Sequence, residues 1–231
     1  NCKASTLVFN PATGENISEV VSGNENCIKD AVESAKAIFP KWSSETPLSR
    51  SRKMFKLKEI IELRKDELAK LITLEHGKTF EDALGEVGRG LEVVEFACGI
   101  PSHLAGNFTS DVGTSVDSWS DYQPIGICAG ITPFNFPVMV PLWMFPIAIA
   151  CGNCFILKPS ERDPSSTGLL VEMVHEAGIP PGVLNLVNGG KETVDAILRN
   201  EDIGSVSFVG STPIAHYVYQ EAAKYGKKVQ A

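Results

Sequence analysis

The sequence has little positive charge: 21 lysines and arginines stand against 28 aspartates and glutamates, so the net charge is −7. A surface that binds nucleic acid needs clustered positive charge, and this balance argues against DNA or RNA as a partner. The densest basic run, at residues 50–58, falls on a segment with helical periodicity and is interpreted as a solvated helix face.

The chain also lacks a long uninterrupted apolar segment. The longest run, residues 136–151, contains three prolines and is too short for a comfortable membrane span, so a helix buried in a soluble protein is expected. Residues 1–6 lack the apolar core of a secretory signal, although they are equally compatible with a clipped end. Six cysteines without such a signal favour reduced thiols in the cytoplasm or, in a eukaryote, the mitochondrial matrix.

Complete phosphate-binding and metal-binding signatures are missing too. Gly88-Arg-Gly90 does not continue to the dinucleotide fingerprint, and Gly189-Gly-Lys191 is followed by Glu192 where a P-loop needs Ser or Thr. Cys151-Gly-Asn-Cys154 has no second ligand pair for zinc, and it ends a predicted helix, whereas a redox pair should open one. We therefore interpret these cysteines as buried structural thiols and expect no metal.

The sequence has two parts with different secondary-structure patterns. Residues 6–22 are predicted to form two short strands around a turn at 10–14, and the following residues, up to about 107, are predicted to be helical. Four helices are predicted in this part. The first begins near residue 24, the second ends near Arg64, the third runs from 67 to 76 and the fourth begins near Phe80. The last of them contains Gly85, Gly88 and Gly90, and glycines inside a helix usually indicate close approach of another backbone.

Residues 109–123 are polar and β-prone and are predicted to form one extended strand. From residue 124 onward strands and helices alternate, with strands at 125–131, 154–157, 183–187, 205–209 and 228–231 and helices near 138–150, 165–177, 191–199 and 213–224. This alternation is typical of a parallel sheet with crossover helices. The predicted fold class is therefore α/β, with an N-terminal helical layer leading into a Rossmann-like parallel sheet.

Asn135 lies on a stiff turn, Pro133-Phe-Asn-Phe-Pro137, directly after the first of these strands. Each proline fixes its own φ and favours extended backbone in the residue before it. A rigid turn that carries a donor at the end of a strand is where α/β enzymes place their chemistry. The alternative is a proline-rich loop that only breaks a strand.

Three further segments carry groups that bind ligands, each with a plainer alternative. Ser211 lies where a strand passes into a helix with Pro213 near its start, and such a terminus attracts anions, although many bind nothing. Lys158-Pro-Ser-Glu-Arg162 ends another strand, where Lys can donate to hydroxyls and Glu can accept from a ribose diol; a solvated turn with a Lys–Glu pair is equally compatible. Arg89 either forms surface ion pairs with Glu86 and Glu92 or grips a carboxylate from a cleft.

Together these segments resemble the aldehyde dehydrogenase superfamily over essentially the whole chain. The matching motifs, in family order and spacing, are Asn10-Pro-Ala-Thr-Gly14, Pro133-Phe-Asn-Phe-Pro137, Lys158-Pro-Ser-Glu161 and Phe208-Val-Gly-Ser-Thr212. Within the superfamily the chain looks most like the CoA-acylating methylmalonate/malonate-semialdehyde dehydrogenases. The residues that favour this group are Phe134, Arg162, Trp143-Met-Phe-Pro146 and Arg89-Gly-Leu-Glu-Val-Val-Glu95.

The resemblance implies a role for each matched residue. It places Asn135 in the oxyanion hole, and Arg89 at the substrate carboxylate. It places NAD along Thr132, Phe134, Lys158, Glu161, Arg162 and Ser211. A glutamate at the ribose would repel a 2′-phosphate, which favours NAD over NADP.

The resemblance also implies the activity and the organisation of the enzyme. A cysteine that follows these motifs in the family would attack the aldehyde, and the product would lose CO2 and pass to CoA. None of the six cysteines here has that motif, so we expect the 231 residues alone to be inactive. Residues 1–108 and 125–231 are then parts of the cofactor-binding domain, and residues 109–124 bridge subunits of a homodimer or homotetramer. The alternatives are a hydrolytic aldehyde dehydrogenase without CoA, a non-catalytic nucleotide-binding module and, more remotely, a redox protein that uses Cys151 and Cys154.

Overall fold

The computed structural model describes residues 4–231, so Cys2 lies outside the described residues. The strands are β1 (Ser5–Phe9), β2 (Asn16–Val21), β3 (Phe108–Gly113), β4 (Val116–Trp119), β5 (Ile127–Ile131), β6 (Cys154–Lys158), β7 (Leu184–Leu186), β8 (Ile203–Phe208) and β9 (Lys228–Gln230). The helices are α1 (Glu25–Ser44), α2 (Pro47–His76), α3 (Phe80–Cys98), α4 (Ile100–His103), α5 (Met139–Ala150), α6 (Ser165–Glu176), α7 (Lys191–Arg199) and α8 (Thr212–Lys224).

The predicted parallel sheet is confirmed. Its strands lie in the order β7-β6-β5-β8-β9, and all four neighbouring pairs are parallel. The chain enters this sheet at the central strand β5 and continues through β6 to the edge strand β7. It then crosses to the other side of β5, where it forms β8 and β9. The strand order therefore reverses between β5 and β8, and crevices that bind ligands form at such a switch point.

Helices cover both faces of this sheet because alternate residues of the buried strands point to opposite sides. Ile127 and Ile156 pack in one core with α1, α7 and α8. Cys128 and Phe155 pack in the other core with α2, α3, α5 and α6. The N-terminal helical layer therefore shares its cores with the sheet, as the predicted fold class requires.

Two predictions for the helical layer need correction. The helices predicted to end near Arg64 and to begin at residue 67 are one helix, α2, with a kink at Arg64 (φ −111°, ψ 15°). Of the three glycines in α3, only Gly90 is closely approached by another backbone, since an added Cβ would lie 3.3 Å from Met139 Cα. At Gly85 and Gly88 it would meet open space. Gly77 is the C-cap of α2, and its φ of +87° is one that glycine adopts without strain.

The single strand predicted over 109–123 is also wrong. Residues 108–119 form an antiparallel hairpin of β3 and β4, and Ser115 in its turn has φ +62°. Every residue of the two strands is exposed, including Phe108 and Trp119. Positive φ is uncommon outside glycine, and the turn residues Thr114 and Ser115 lack the Asn-Gly or Gly-X pair typical of hairpins, although Gly113 directly precedes them.

Arg50 contradicts the interpretation of residues 50–58 as a wholly solvated face. It is buried, and its Nε donates to the carbonyl oxygen of Ala150 at 2.8 Å.

The apolar run at 136–151 forms α5, which is largely buried although Trp143 is 44% exposed. Within residues 4–231, no helix is long and apolar enough to cross a membrane.

Candidate functional site

A crevice of about 670 Å³ opens at the carboxyl ends of β5, β6 and β8, where the strand order reverses. We call it the switch-point crevice. Its walls include Thr132, Phe134, Lys158, Glu161, Arg162 and Ser211. The structure therefore brings together all six residues that were predicted to bind the cofactor, from three separate segments of the chain.

Thr132 and Phe134 follow the central strand β5. The Thr132 backbone N–H donates to the Lys158 carbonyl at 3.1 Å, which ties the ends of β5 and β6 together. The Thr132 hydroxyl is buried and has no hydrogen-bond partner among the described residues. A buried polar group without a partner is costly, so this hydroxyl is a ready contact for a ligand.

Two side chains lie beside the Phe134 ring. The Arg162 guanidinium lies over it at 4.7 Å from the ring centroid, and the His76 ring stacks at 6.2 Å. Phe134 nevertheless remains 45% exposed and presents an apolar surface to the crevice. A ring held in this way is pre-organised to pack against a planar ligand.

Lys158 and Glu161 form an ion pair at the end of β6, with Nζ and Oε2 3.1 Å apart. The Lys158 side chain is 7% exposed and that of Glu161 is 36% exposed. The Lys–Glu pair of the plainer alternative is therefore present, but its lysine is buried beneath the crevice, so the turn is not wholly solvated. The ammonium retains free donors, and the carboxylate faces the opening with free acceptor positions.

Ser211 is the N-cap of α8, and Pro213 lies in the first turn of that helix, as its place near the helix start predicted. The Ser211 side chain makes no capping hydrogen bond, although this position usually does so. The hydroxyl and the first backbone N–H groups of α8 are therefore available to an anion at the positive end of the helix.

Asn135 is exposed and does not line the switch-point crevice. It lies between Phe134, which lines that crevice, and Phe136, which lines a second cleft. Its backbone carbonyl accepts a hydrogen bond from Lys78 Nζ at 2.9 Å. Sequence reasoning therefore located the turn, and the structure places it at the boundary of two clefts.

Arg89 lines the second cleft, which we call the Arg89 cleft, with Lys78, Glu81, Asp82, Gly85, Glu86 and Phe136. The surface ion pair with Glu86 is contradicted, because Glu86 is buried and pairs with Lys78. Arg89 forms no ion pair with any residue in 4–231, so its guanidinium remains available to an anion.

Sequence reasoning missed two sets of residues near the site. Lys191, Asp195 and Tyr217 form a network on the α7–α8 side of the switch-point crevice, in which Tyr217 donates to Asp195 at 2.6 Å. Glu75 and Asp163 are buried carboxyls near Phe134 and Arg162. Burial, with repulsion from Glu75, raises the pKa of Asp163 to about 8. The sequence feature that could have identified Asp163 is its position directly after Arg162, which was itself predicted to lie at the site.

Burial raises the pKa of four cysteines, Cys98, Cys128, Cys151 and Cys154, which is typical of structural thiols. Cys151 is the C-cap of α5 and Cys154 opens β6, so this pair ends a helix as predicted. Burial raises the pKa of Cys154 to about 12 and that of Cys128 to about 11, which disfavours the reactive thiolate. None of the cysteines in residues 4–231 lines the switch-point crevice.

Comparison with known protein families identifies the family to which this fold belongs. The model of the aldehyde dehydrogenase family matches residues 2–231, which is nearly the whole chain. The chain belongs to the aldehyde dehydrogenase family. The resemblance inferred from four co-ordered motifs is thereby confirmed.

Similar proteins narrow the comparison within the family. A malonate-semialdehyde dehydrogenase of Pseudomonas aeruginosa is 55% identical over 97% of this chain. The crystal structure of a methylmalonate-semialdehyde dehydrogenase from Oceanimonas doudoroffii superposes with a TM-score of 0.98 at 53% identity over 99% of the chain. A putative methylmalonate-semialdehyde dehydrogenase from Sinorhizobium meliloti, complexed with NAD, gives 0.97 at 53% identity over 98%.

This chain covers 45% of the Pseudomonas protein, 47% of the Oceanimonas chain and 46% of the Sinorhizobium chain. It therefore spans about half the length of the relatives it matches.

Proposed function

We propose that the complete gene product catalyses NAD-linked oxidation of malonate or methylmalonate semialdehyde to an acyl-CoA with loss of CO2. The chain described here would supply the portion that binds NAD. The observation that carries the proposal is that six separately predicted residues line one crevice at the switch point of a parallel sheet. The names of the similar proteins, and the NAD held by one of them, support the same conclusion.

The groups in the crevice fit a dinucleotide. The free Ser211 hydroxyl and the start of α8 suit a pyrophosphate, while Lys158 and Glu161 suit the hydroxyls of the adenosine ribose. The unpartnered Thr132 hydroxyl and the Phe134 ring suit the nicotinamide half. Bound NAD would supply the hydride acceptor, and these residues would orient it.

Asn135 and Arg89 would act on the aldehyde. We assign the Asn135 amide to the developing oxyanion, because its turn lies between the switch-point crevice and the Arg89 cleft. We assign Arg89 to the substrate carboxylate, because its guanidinium forms no ion pair within residues 4–231 and two N–H groups can bind a carboxylate side by side.

Transfer to CoA, assembly and compartment are finer parts of the proposal. We propose a homodimer or homotetramer in which the exposed β3–β4 hairpin and the residues up to 124 contact another subunit, in the cytoplasm or the mitochondrial matrix. Four exposed apolar side chains of that hairpin, those of Phe108, Val112, Val116 and Trp119, support the assembly. A hydrolytic reaction without CoA is the main alternative.

The test is NADH formation by the complete gene product, with malonate semialdehyde, NAD and either CoA or water as acceptor. We expect turnover that CoA accelerates, with acyl-CoA and CO2 as products. Turnover indifferent to CoA would favour the hydrolytic enzyme. A complete product that binds NAD without oxidising any short aldehyde would favour the non-catalytic module.

The redox alternative has less support, because the pKa values of Cys151 and Cys154 are both raised by burial. Mild oxidant should leave both thiols unlinked. The 231-residue polypeptide should likewise form no NADH from aldehyde, because no described cysteine lies at the switch-point crevice.

A further inference from the structure

The turn that carries Asn135 is held by a lysine from the helical layer. Lys78 directly follows the α2 cap Gly77, and its Nζ donates to the backbone carbonyl of Asn135 at 2.9 Å. The same ammonium lies 4.4 Å from the centroid of the Phe136 ring. Within residues 4–231 this is the only hydrogen bond that reaches Asn135.

Glu86 holds Lys78 in turn. Its Oε2 lies 2.6 Å from Lys78 Nζ, and its Oε1 accepts from the backbone N–H of Val138 at 2.8 Å and that of Met139 at 3.2 Å. These two N–H groups lie at the start of α5 and have no partner within the helix. One carboxylate therefore joins the lysine on one side of the turn to the helix on the other.

This arrangement is too buried to be an ordinary surface ion pair. The Glu86 side chain is 1% exposed and that of Lys78 is 12% exposed. Lys78 donates two hydrogen bonds and Glu86 accepts three, and a buried pair held in this way fixes geometry, whereas exposed pairs contribute little. The Asn135 side chain has no hydrogen bond of its own within residues 4–231, so its position depends on the backbone that Lys78 holds.

We propose that Lys78 is a positioning residue that aims the Asn135 amide, and that Glu86 orients Lys78 for this task. The inference rests on the proposed oxyanion role of Asn135. Displacing a donor by about 1 Å can lower a rate on the order of 100-fold. The loss should therefore appear in kcat, for every aldehyde, and leave NAD affinity unchanged.

The kinetic test uses Lys78→Met in the complete gene product, with exposed Lys70→Met on α2 as the matched control. We expect Lys78→Met to lower kcat by roughly 10- to 100-fold for both malonate semialdehyde and propanal, with KM changing less than twofold. Lys78→Arg should recover much of the rate. Because Lys78 lines the Arg89 cleft, added methylammonium should partly restore Lys78→Ala.

Two kinetic outcomes would overturn the inference. An unchanged kcat in folded Lys78→Met would show that the turn at Asn135 keeps its conformation without Lys78. A rise in KM confined to the carboxylated aldehyde would show that Lys78 binds substrate instead. Glu86→Gln keeps an acceptor for Val138 and removes the charge that holds Lys78, so it should give an intermediate loss of kcat; full activity would also count against the proposal.

A spectroscopic measurement on the 231-residue chain separates this inference from the proposed function. Loss of the hydrogen bond in Lys78→Met should shift the ¹³C resonance of the Asn135 carbonyl and the ¹⁵N resonance of the Phe136 amide, while Lys70→Met leaves both unchanged. Unshifted resonances would overturn the inference even if the enzyme is active. If the wild-type complete product fails to oxidise aldehydes, the proposed function falls, and these resonances still decide whether Lys78 holds the turn.

Discussion

Glu86 accepts the backbone N–H of Val138 at 2.8 Å, so a residue of the helical layer caps the crossover helix α5. Glu75, at the end of α2, does the same for α6 by accepting the backbone N–H of Ser165 at 3.0 Å. Both helices start at the sheet edge that carries the switch-point crevice. The N-terminal layer therefore sets the geometry of the site as well as covering the sheet.

The Asn135 amide should matter for rate and little for cofactor binding. In the complete gene product, Asn135→Ala should lower kcat on the order of 10²–10³-fold, because one donor to the oxyanion is lost. The dissociation constant of NAD should stay within twofold, since Asn135 does not line the crevice. Asn107→Ala, on the exposed segment before β3, is the control. Unchanged turnover would remove Asn135 from the mechanism.

Arg89 should distinguish aldehydes that carry a carboxylate. Arg89→Leu should raise KM for malonate semialdehyde roughly 10- to 100-fold, because hydrogen bonds to a charged group are lost, and leave KM for propanal unchanged. Arg52→Leu, an exposed arginine on α2, is the control. Equal effects on the two aldehydes would contradict a grip on the carboxylate.

Glu161 should set the preference for NAD over NADP. Glu161→Gln keeps an acceptor for the ribose and removes the negative charge that would face a 2′-phosphate. The ratio of the NADP to the NAD dissociation constant should fall roughly tenfold, because a charge repulsion of about 1 kcal/mol or more is removed. Glu172→Gln on α6 is the exposed control. An unchanged ratio would place the discrimination elsewhere.

Asp163 should make the protein less stable as pH rises. Its pKa is about 8 in the folded chain because of burial and the nearby Glu75, and 3.8 is its ordinary value, so the unfolded state releases the proton first. The free energy of unfolding therefore falls as the pH rises from about 4 to about 8, and it stays constant above pH 8.

Asp163→Asn cannot ionise, so it should lose less stability than wild type between pH 5 and pH 9, by a few kcal/mol at most. Urea unfolding at the two pH values measures this difference, with exposed Asp30→Asn as the control. Parallel pH dependence in wild type and Asp163→Asn would show that Asp163 is not the titrating group.

Much of the α/β portion was predictable because its signals are local. Strands such as β5 and β6 are wholly buried, so they read as short apolar runs that end at glycine, proline or charge. The motif at residues 158–162 then follows a strand end, and parallel strands bring their carboxyl ends to one edge. The position of the crevice follows from these two facts.

The errors arose where distant residues decide the local structure. Arg64 pairs with Glu67 in its own helix and with Glu176 in α6, and α2 continues through the kink at this point. The turn of the β3–β4 hairpin is formed by Thr114 and Ser115 instead of the Asn-Gly or Gly-X pair that usually indicates a hairpin.

The sequence spacing indicates that Glu86 is buried, but it does not identify the partner of Glu86. It falls on the buried stripe of α3 with Ala83, Val87 and Gly90, where a charge signals a buried partner. Nothing in the spacing identified Lys78, eight positions earlier, as that partner.

The most direct test of the account is titration of NAD into the isotope-labelled 231-residue chain, followed by amide resonances. We predict saturable binding at one site, with the largest shifts at Thr132, Lys158 and Ser211 and with loss of binding in Lys158→Met. Absence of saturable binding, or shifts confined to residues away from the switch-point crevice, would contradict the assignment of that crevice to NAD.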